Sequence, residues 1–264
     1  ADRGISHVLL TENDLLTPSL KDYDLIVLPY LPLLSVEKQE ALVSYVKQGG
    51  KLIVTGASGN KDQYNVPFEK IILAGLFPQG TYPAELTQIE VEKGTIVYIP
   101  LDVTNNKYLI EMKSRGEYTT FGPTMAHLFP DIPEGYTRNR INPELRKVLE
   151  NIPDQILKLN NDEVSRLAEN YPYVEMTTMM NEPKNEMLIH LVNYDVTLDG
   201  DITSAENIKL QIKVPEGKTV QSVKYNGTLS SMNDIAFEVS QSQNLVHLNI
   251  DQLNTYGLAV ISLK

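Results

Sequence analysis

Chemistry on this chain must be done without thiols, because none of its 264 residues is cysteine. That removes cysteine nucleophiles, disulfides and thiolate metal sites together. The four histidines, His7, His127, His190 and His247, are scattered, with no i,i+4 pair and no acid cluster beside them. Such histidines read as hydrogen-bonded packing residues rather than bases or ligands. Ser58 lies near Asp62, but the G-x-S-x-G turn that exposes a serine nucleophile is absent. Thr55-Gly56-Ala57-Ser58-Gly59-Asn60 follows an apolar run and is the nearest thing to a phosphate-binding turn. The third glycine of that turn would fall at position 62, which is Asp62, and a carboxylate repels a diphosphate. A tight polar loop explains the stretch better. No catalytic residue, cofactor or metal ligand is expected.

Weaker chemistry remains open to carboxylates and rings. Glu12 and Asp14 are expected in a loop after a strand, on the edge where open α/β sheets hold ligands, and Tyr30 ends the next strand. Tyr118, Phe121, Tyr136 and Tyr173 could stack on sugar rings, although packing at a domain junction is the commoner use of such rings. The candidate carbohydrate contacts are therefore Glu12, Tyr30, Tyr118 and Phe121. Arg138 and Arg140 suit an anion, or simply pair with the excess of acid.

The elements that would hold these residues centre on positions 23–56. Leu25-Ile26-Val27-Leu28 is a continuous apolar run ended by Pro29, the pattern of a strand buried on both faces. Ser35 can cap a helix with Glu37 in its first turn. Ala41, Leu42, Tyr45 and Val46 then recur on one helical face, Gly49-Gly50 ends it, and Lys51-Leu52-Ile53-Val54 starts a second strand. Strand, helix and strand make a βαβ unit with parallel strands. His7-Val8-Leu9-Leu10 is expected to be a strand before it, and residues 94–100 a strand after it. A first βα unit, which a doubly wound domain normally carries, is expected to lie upstream. Asn142-Pro143-Glu144 predicts a helix from Pro143 to about Asn151, kinked or restarted at Pro153.

The period changes near Tyr171. Ile208, Leu210, Ile212 and Val214 alternate with polar residues, and runs at 174–180 and 187–194 flank the turn-forming residues 181–185. Further runs at 220–225, 235–239, 245–250 and 257–263 complete seven short strands without a helix, the pattern of an antiparallel sandwich. The expected fold is α/β plus all-β, with domains over 1–165 and 166–264.

Composition agrees with a globular protein: 42% hydrophobic and 22% charged residues. The net charge of −11 disfavours nucleic acid and anionic membrane surfaces as partners. No apolar run is long enough to span a bilayer as a helix, and nothing at Ala1 reads as a signal peptide, so the expectation leans to the cytoplasm without fixing the compartment.

Several of these segments together resemble the C-terminal half of family 42 bacterial β-galactosidases. They are Gly4-Ile5-Ser6-His7-Val8-Leu9-Leu10, the 23–56 block, residues 94–100, Asn142-Pro143-Glu144-Leu145-Arg146, Ile189-His190-Leu191-Val192-Asn193-Tyr194 and Tyr256-Gly257-Leu258-Ala259-Val260-Ile261. The resemblance implies a flavodoxin-like, class I glutamine-amidotransferase-like parallel-sheet domain (the trimerisation domain), followed by a small antiparallel β-sandwich. It also implies an upstream catalytic barrel in the same parent chain, a homo-oligomer and a non-catalytic role in assembly and active-site framing. In active amidotransferases the elbow after the second strand carries a cysteine. Here that strand ends at Gly56-Ala57, so glutaminase chemistry is excluded by residue type. The alternatives are a free-standing carbohydrate- or peptide-binding protein, or a hydrolase with carboxylates that spacing does not reveal.

Overall fold

The computed structural model describes residues 4–101, 143–169, 171, 173–195, 200–227, 232–240 and 244–264. These divide into two compact units, one holding residues 9–101 and 143–159, the other residues 4–8 and the described part of 160–264. The first combines helices with a sheet, and the second is mostly sheet.

In the first unit, β1 (Leu25–Leu28) is followed by helix α1 (Val36–Lys47) and β2 (Lys51–Thr55), and β1 and β2 pair in parallel. The βαβ reading of the sequence is therefore the arrangement found. β3 (Thr87–Val91) and β4 (Gly94–Ile99) extend the sheet to the order β1-β2-β4-β3, with β4 parallel to β2 and β3 antiparallel at the edge. α2 spans Pro143–Leu159 and runs through Pro153, longer than the proline suggested.

Both faces of the parallel strands are covered, which is why they read as unbroken apolar runs. Ile26, Leu28, Leu52, Val54, Ile96 and Tyr98 form one core with Leu42, Tyr45 and Val46 of α1. Leu25, Val27, Ile53, Val97 and Ile99 cluster on the other face with Ile152, Ile156 and Leu159 of α2, a helical i, i+4, i+7 stripe. Lys51 Nζ donates to the Leu159 carbonyl at 2.7 Å, placing a cation at the negative end of that helix.

α1 lies very close to the sheet. A Cβ on Gly94 would stand 2.1 Å from the Val46 carbonyl oxygen and 2.3 Å from that of Gly50. Tyr45 closes over the helix-to-strand turn, its hydroxyl donating to the Tyr23 carbonyl at 2.8 Å. Burial pushes that hydroxyl from 10.0 up to about 12.

The second unit contains β5 (Arg166–Leu167), β6 (Val174–Asn181), β7 (Glu186–Asn193), β8 (Ala205–Lys213), β9 (Val220–Asn226), β10 (Asn233–Asp234), β11 (Phe237–Ser240), β12 (Leu245–Leu253) and β13 (Tyr256–Leu263). They build two antiparallel sheets, β10-β9-β13-β7-β6 and β11-β12-β8-β5. Inward residues of both, among them Ile189, Leu191, Ile261, Leu210, Ile212 and Ile250, form one core. The 181–185 turn is a 3-10 turn (Glu182–Lys184) with Asn185 at φ 54°.

Several local expectations change. Residues 7–10 are not a strand: Val8 and Leu9 are largely exposed and no strand pairs with them. Glu12 and Asp14 therefore precede β1 without a strand before them. Ser35 occupies the helix N-cap but makes no side-chain cap bond. The run at 235–239 is split, because the chain crosses between sheets at Ile235. β3 was hidden in the half-exposed pattern Thr-Gln-Ile-Glu-Val, which precedes a tight Glu92-Lys93 turn.

Two outcomes follow. Gly94→Ala should lower the urea-unfolding free energy by at least about 2 kcal/mol, since the two carbonyls it strikes are backbone. Tyr45 keeps in the folded state a proton that the unfolded chain loses near pH 10. Its contribution is thus complete below pH about 10 and disappears as pH rises to about 12. Urea midpoints measured across that window should fall, and fall less in Tyr45→Phe.

Candidate functional site

The place to look for chemistry is the carboxyl end of β1 and β2, where open parallel sheets place their ligands. Here the chain leaves β1 through Pro29 and Tyr30, and leaves β2 through Gly56, Ala57 and Ser58. Tyr30 has φ 52° and Gly56 has φ +56°, so both exits turn sharply in the left-handed region.

Polar side chains at these exits hold backbone. Thr55 Oγ1 accepts from the Tyr30 amide at 2.7 Å and donates to the Leu28 carbonyl at 3.1 Å. Ser58 Oγ accepts from the Leu31 amide at 2.9 Å and donates to the Thr55 carbonyl at 2.8 Å. Tyr82 donates to the Ser58 carbonyl at 2.7 Å. Burial raises the Tyr82 hydroxyl well above its ordinary value, with a further push from Tyr98, whose ring stacks on it at 4.7 Å.

Gln39, on the buried face of α1 and fully inaccessible, completes the knot. Its Nε2 donates to the Leu34 and Gly59 carbonyls, each at 3.0 Å. Its Oε1 accepts from the Ile72 amide at 3.1 Å and the Leu73 amide at 3.4 Å. One carboxamide thereby satisfies backbone groups on three separate segments.

Neither Gly56 nor Ser58 can offer a nucleophile here. A Cβ on Gly56 would lie 2.7 Å from the Leu101 carbonyl oxygen and 2.8 Å from Cδ2 of Tyr30. Ser58 is wholly buried, with its hydroxyl both donating and accepting. The 55–60 stretch is a tight polar loop. Asp62, the residue that spoils the phosphate-turn pattern, spends its Oδ1 on the Tyr64 and Val66 amides at 2.9 and 2.8 Å.

Of the carbohydrate candidates, Glu12 is tied to Lys38 in α1 by an ion pair. Tyr30 sits half-buried against Gly56. Tyr118 and Phe121 lie outside the described residues, as do Tyr136, His127, Arg138 and Arg140. Asp14 caps its own turn, accepting from the Thr11 hydroxyl and amide, which holds its carboxyl below the usual range. His190 Nδ1 pairs with the Tyr256 hydroxyl at 2.7 Å, joining the HLVNY segment to the YGLAVI segment on neighbouring strands β7 and β13. Asn193 of the same segment donates to the Thr203 and Asn254 carbonyls, both at 2.7 Å. Among the described residues no three His, Asp or Glu gather as metal ligands, and no helix is long and apolar enough to cross a membrane.

Residues 12–98, which carry the knot, match the family model of the β-galactosidase trimerisation domain. The resemblance of the chain to family 42-type β-galactosidases thus has a family match behind it. An α-L-fucosidase (isoenzyme 2) from Paenibacillus thiaminolyticus is similar in fold, with a TM-score of 0.58 at 12% identity over 95% of this chain and 42% of its own. A GH42 β-galactosidase from G. stearothermophilus, solved as a catalytic mutant, gives 0.50 at 12% identity over 100% of this chain and 34% of its own. The chain therefore spans less than half the length of either protein. No curated protein matches the sequence.

Gln39→Leu would strand two carbonyls and two amides without partners. It should lower the unfolding free energy by about 3 kcal/mol or more, which a denaturant titration against wild type measures.

Proposed function

We propose that this chain is a non-catalytic region of a β-galactosidase-like glycoside hydrolase and serves to assemble copies of that enzyme. The carrying observation is the trimerisation-domain match over residues 12–98, the same segment whose strand ends are closed by Thr55, Ser58 and Gln39. At the end of β2 stands a glycine with no space for a side chain. On this reading the unit holding β1 to β4 is a flavodoxin-like, amidotransferase-like domain without glutaminase chemistry, and the unit of two antiparallel sheets is a β-sandwich domain. The parallel order β1-β2-β4 around a crossover helix supports the first assignment, and the shared core of two antiparallel sheets supports the second.

The catalytic carboxylates belong to a barrel elsewhere in the parent chain. The edge carrying Glu12 and Tyr30 is the part of the domain offered to that active site as a wall. Framing needs no acid–base pair here, which fits a Glu12 already engaged by Lys38.

Sedimentation velocity of the 264-residue chain tests the reading, alongside hydrolysis of nitrophenyl galactosides. Self-association with no turnover above buffer is the expected outcome. A monomer at about 100 μM, where even a micromolar interface is filled, or turnover that tracks the purified chain, would overturn it.

A further inference from the structure

At one end of the second unit the two sheets part. The inward row of β12 runs through Val246, Leu248 and Ile250, all buried, and its next member is the exposed Gln252. On the facing sheet the inward row of β9 runs from buried Val223 to half-buried Tyr225, then to Gly227 just past the strand. Two aliphatic rows that stop together, on sheets spaced about 10 Å apart, leave the interior open at that end. The opening holds a recess of about 300 Å³ walled by Tyr225, Ile235, Asn249, Gln252 and Asn254.

Tyr225 is fixed in that recess. Its hydroxyl crosses to the other sheet and donates to the Gln252 carbonyl at 3.2 Å. A Cβ on Gly227 would stand 2.7 Å from the hydroxyl oxygen, and one on Gly257 2.4 Å, so only residues without side chains let the ring lie there. Burial pushes the hydroxyl from 10.0 up to about 12, which keeps it a neutral donor at ordinary pH.

The polar groups around the ring are chiefly carboxamides. β11 pairs with β12 only over Leu245–Leu248, so among the described residues no strand lies beside the 249–253 stretch on that side. Asn254 Oδ1 accepts from the Ser204 hydroxyl at 2.6 Å, which orients the carboxamide and leaves its Nδ2 hydrogens to donate. Asn249 Nδ2 lies 3.5 Å from the Asp251 carboxylate. That carboxylate is the single charge among the lining residues, and no cation joins it. An anion would meet Asp251 without a counter-charge, whereas a carboxamide both donates and accepts, as a sugar hydroxyl does. An apolar ring beside a few placed polar groups is the make-up of a small-molecule site.

We infer that this recess between β9 and β12 binds a neutral saccharide, its hydroxyls bonded by the carboxamides of Asn249, Gln252 and Asn254 and one sugar face laid against Tyr225. The site lies wholly within the second unit and does not depend on the assembly role proposed above.

Saturation-transfer NMR of the 264-residue chain with lactose as the probe tests it. At about 50 mM lactose even a site of millimolar affinity is filled. Lactose protons should take up saturation from the wild-type chain, and galacturonate at the same concentration should take up at least about fivefold less, because its carboxylate meets Asp251. Asn249→Ala with Gln252→Ala removes two carboxamides at exposed positions. It should weaken lactose binding about tenfold or more while circular dichroism and the thermal midpoint stay those of wild type. Should the pair lower the midpoint, Asn249→Ala alone makes the same comparison. No saturation of lactose by the wild-type chain overturns the site. Saturation that persists in the folded variants also overturns it, because binding is then elsewhere, and so does galacturonate saturated as strongly as lactose. Each of these results leaves the assembly reading standing, since sedimentation measures self-association separately.

Discussion

The carboxamide of Gln39 is the interaction on which the first unit turns. Helix α1 brings it into an apolar core where an unpartnered amide would be costly, and all of its capacity there is met by backbone from the 34, 59 and 72–73 segments. Those segments lie outside the main sheet and are joined by isolated backbone bonds, such as Leu34 to Lys61 and Gly59 to Leu31. Without Gln39 the loops at the strand ends would have to find water or one another, and the turn from β2 would lose its support. Thr55 and Ser58 extend the same logic to the exits of β1 and β2. Thr55, Ser58 and Gln39, at the end where open α/β sheets hold ligands, are here structural because backbone groups saturate their side chains.

That saturation connects fold to function. Open parallel sheets concentrate chemistry at their strand ends because loops there are free to vary. In this unit the loops are pinned to one another, the left-handed turn at Gly56 is walled by Tyr30 and the Leu101 carbonyl, and the loop beyond it is organised by Asp62. An edge tied down in this way is the physical basis of the assembly role proposed above.

The regular elements were legible where one periodicity ruled. Apolar runs on both sides of a helical stripe gave β1, α1 and β2, because a doubly covered strand cannot be built from alternating residues. The strands at 174–193 and 205–213 were legible from alternation on a half-buried sheet. Residues 7–10 misled because an apolar run states only that burial would be favourable, and a strand also needs a partner backbone. β3 was obscured for the converse reason, as its pairing with β4 is long-range and its own side chains are half exposed.

The site was less legible than the fold. Absence of cysteine could be read directly, whereas the local role of Asp62 in holding the 64–66 amides could not. Gln39 left only a slight trace, a polar residue three positions before Leu42 on the buried face of α1, and nothing local announces which backbone it will satisfy. Native-state hydrogen exchange tests the central claim, that the strand ends are a closed structural knot, most directly. The amides of Tyr30, Leu31, Gly59 and Ile72 should exchange only through global unfolding, with the denaturant dependence of the β2 core amides. Fast, denaturant-independent exchange at those four positions, beside a protected β2, would mean that the edge opens on its own and that the account is wrong.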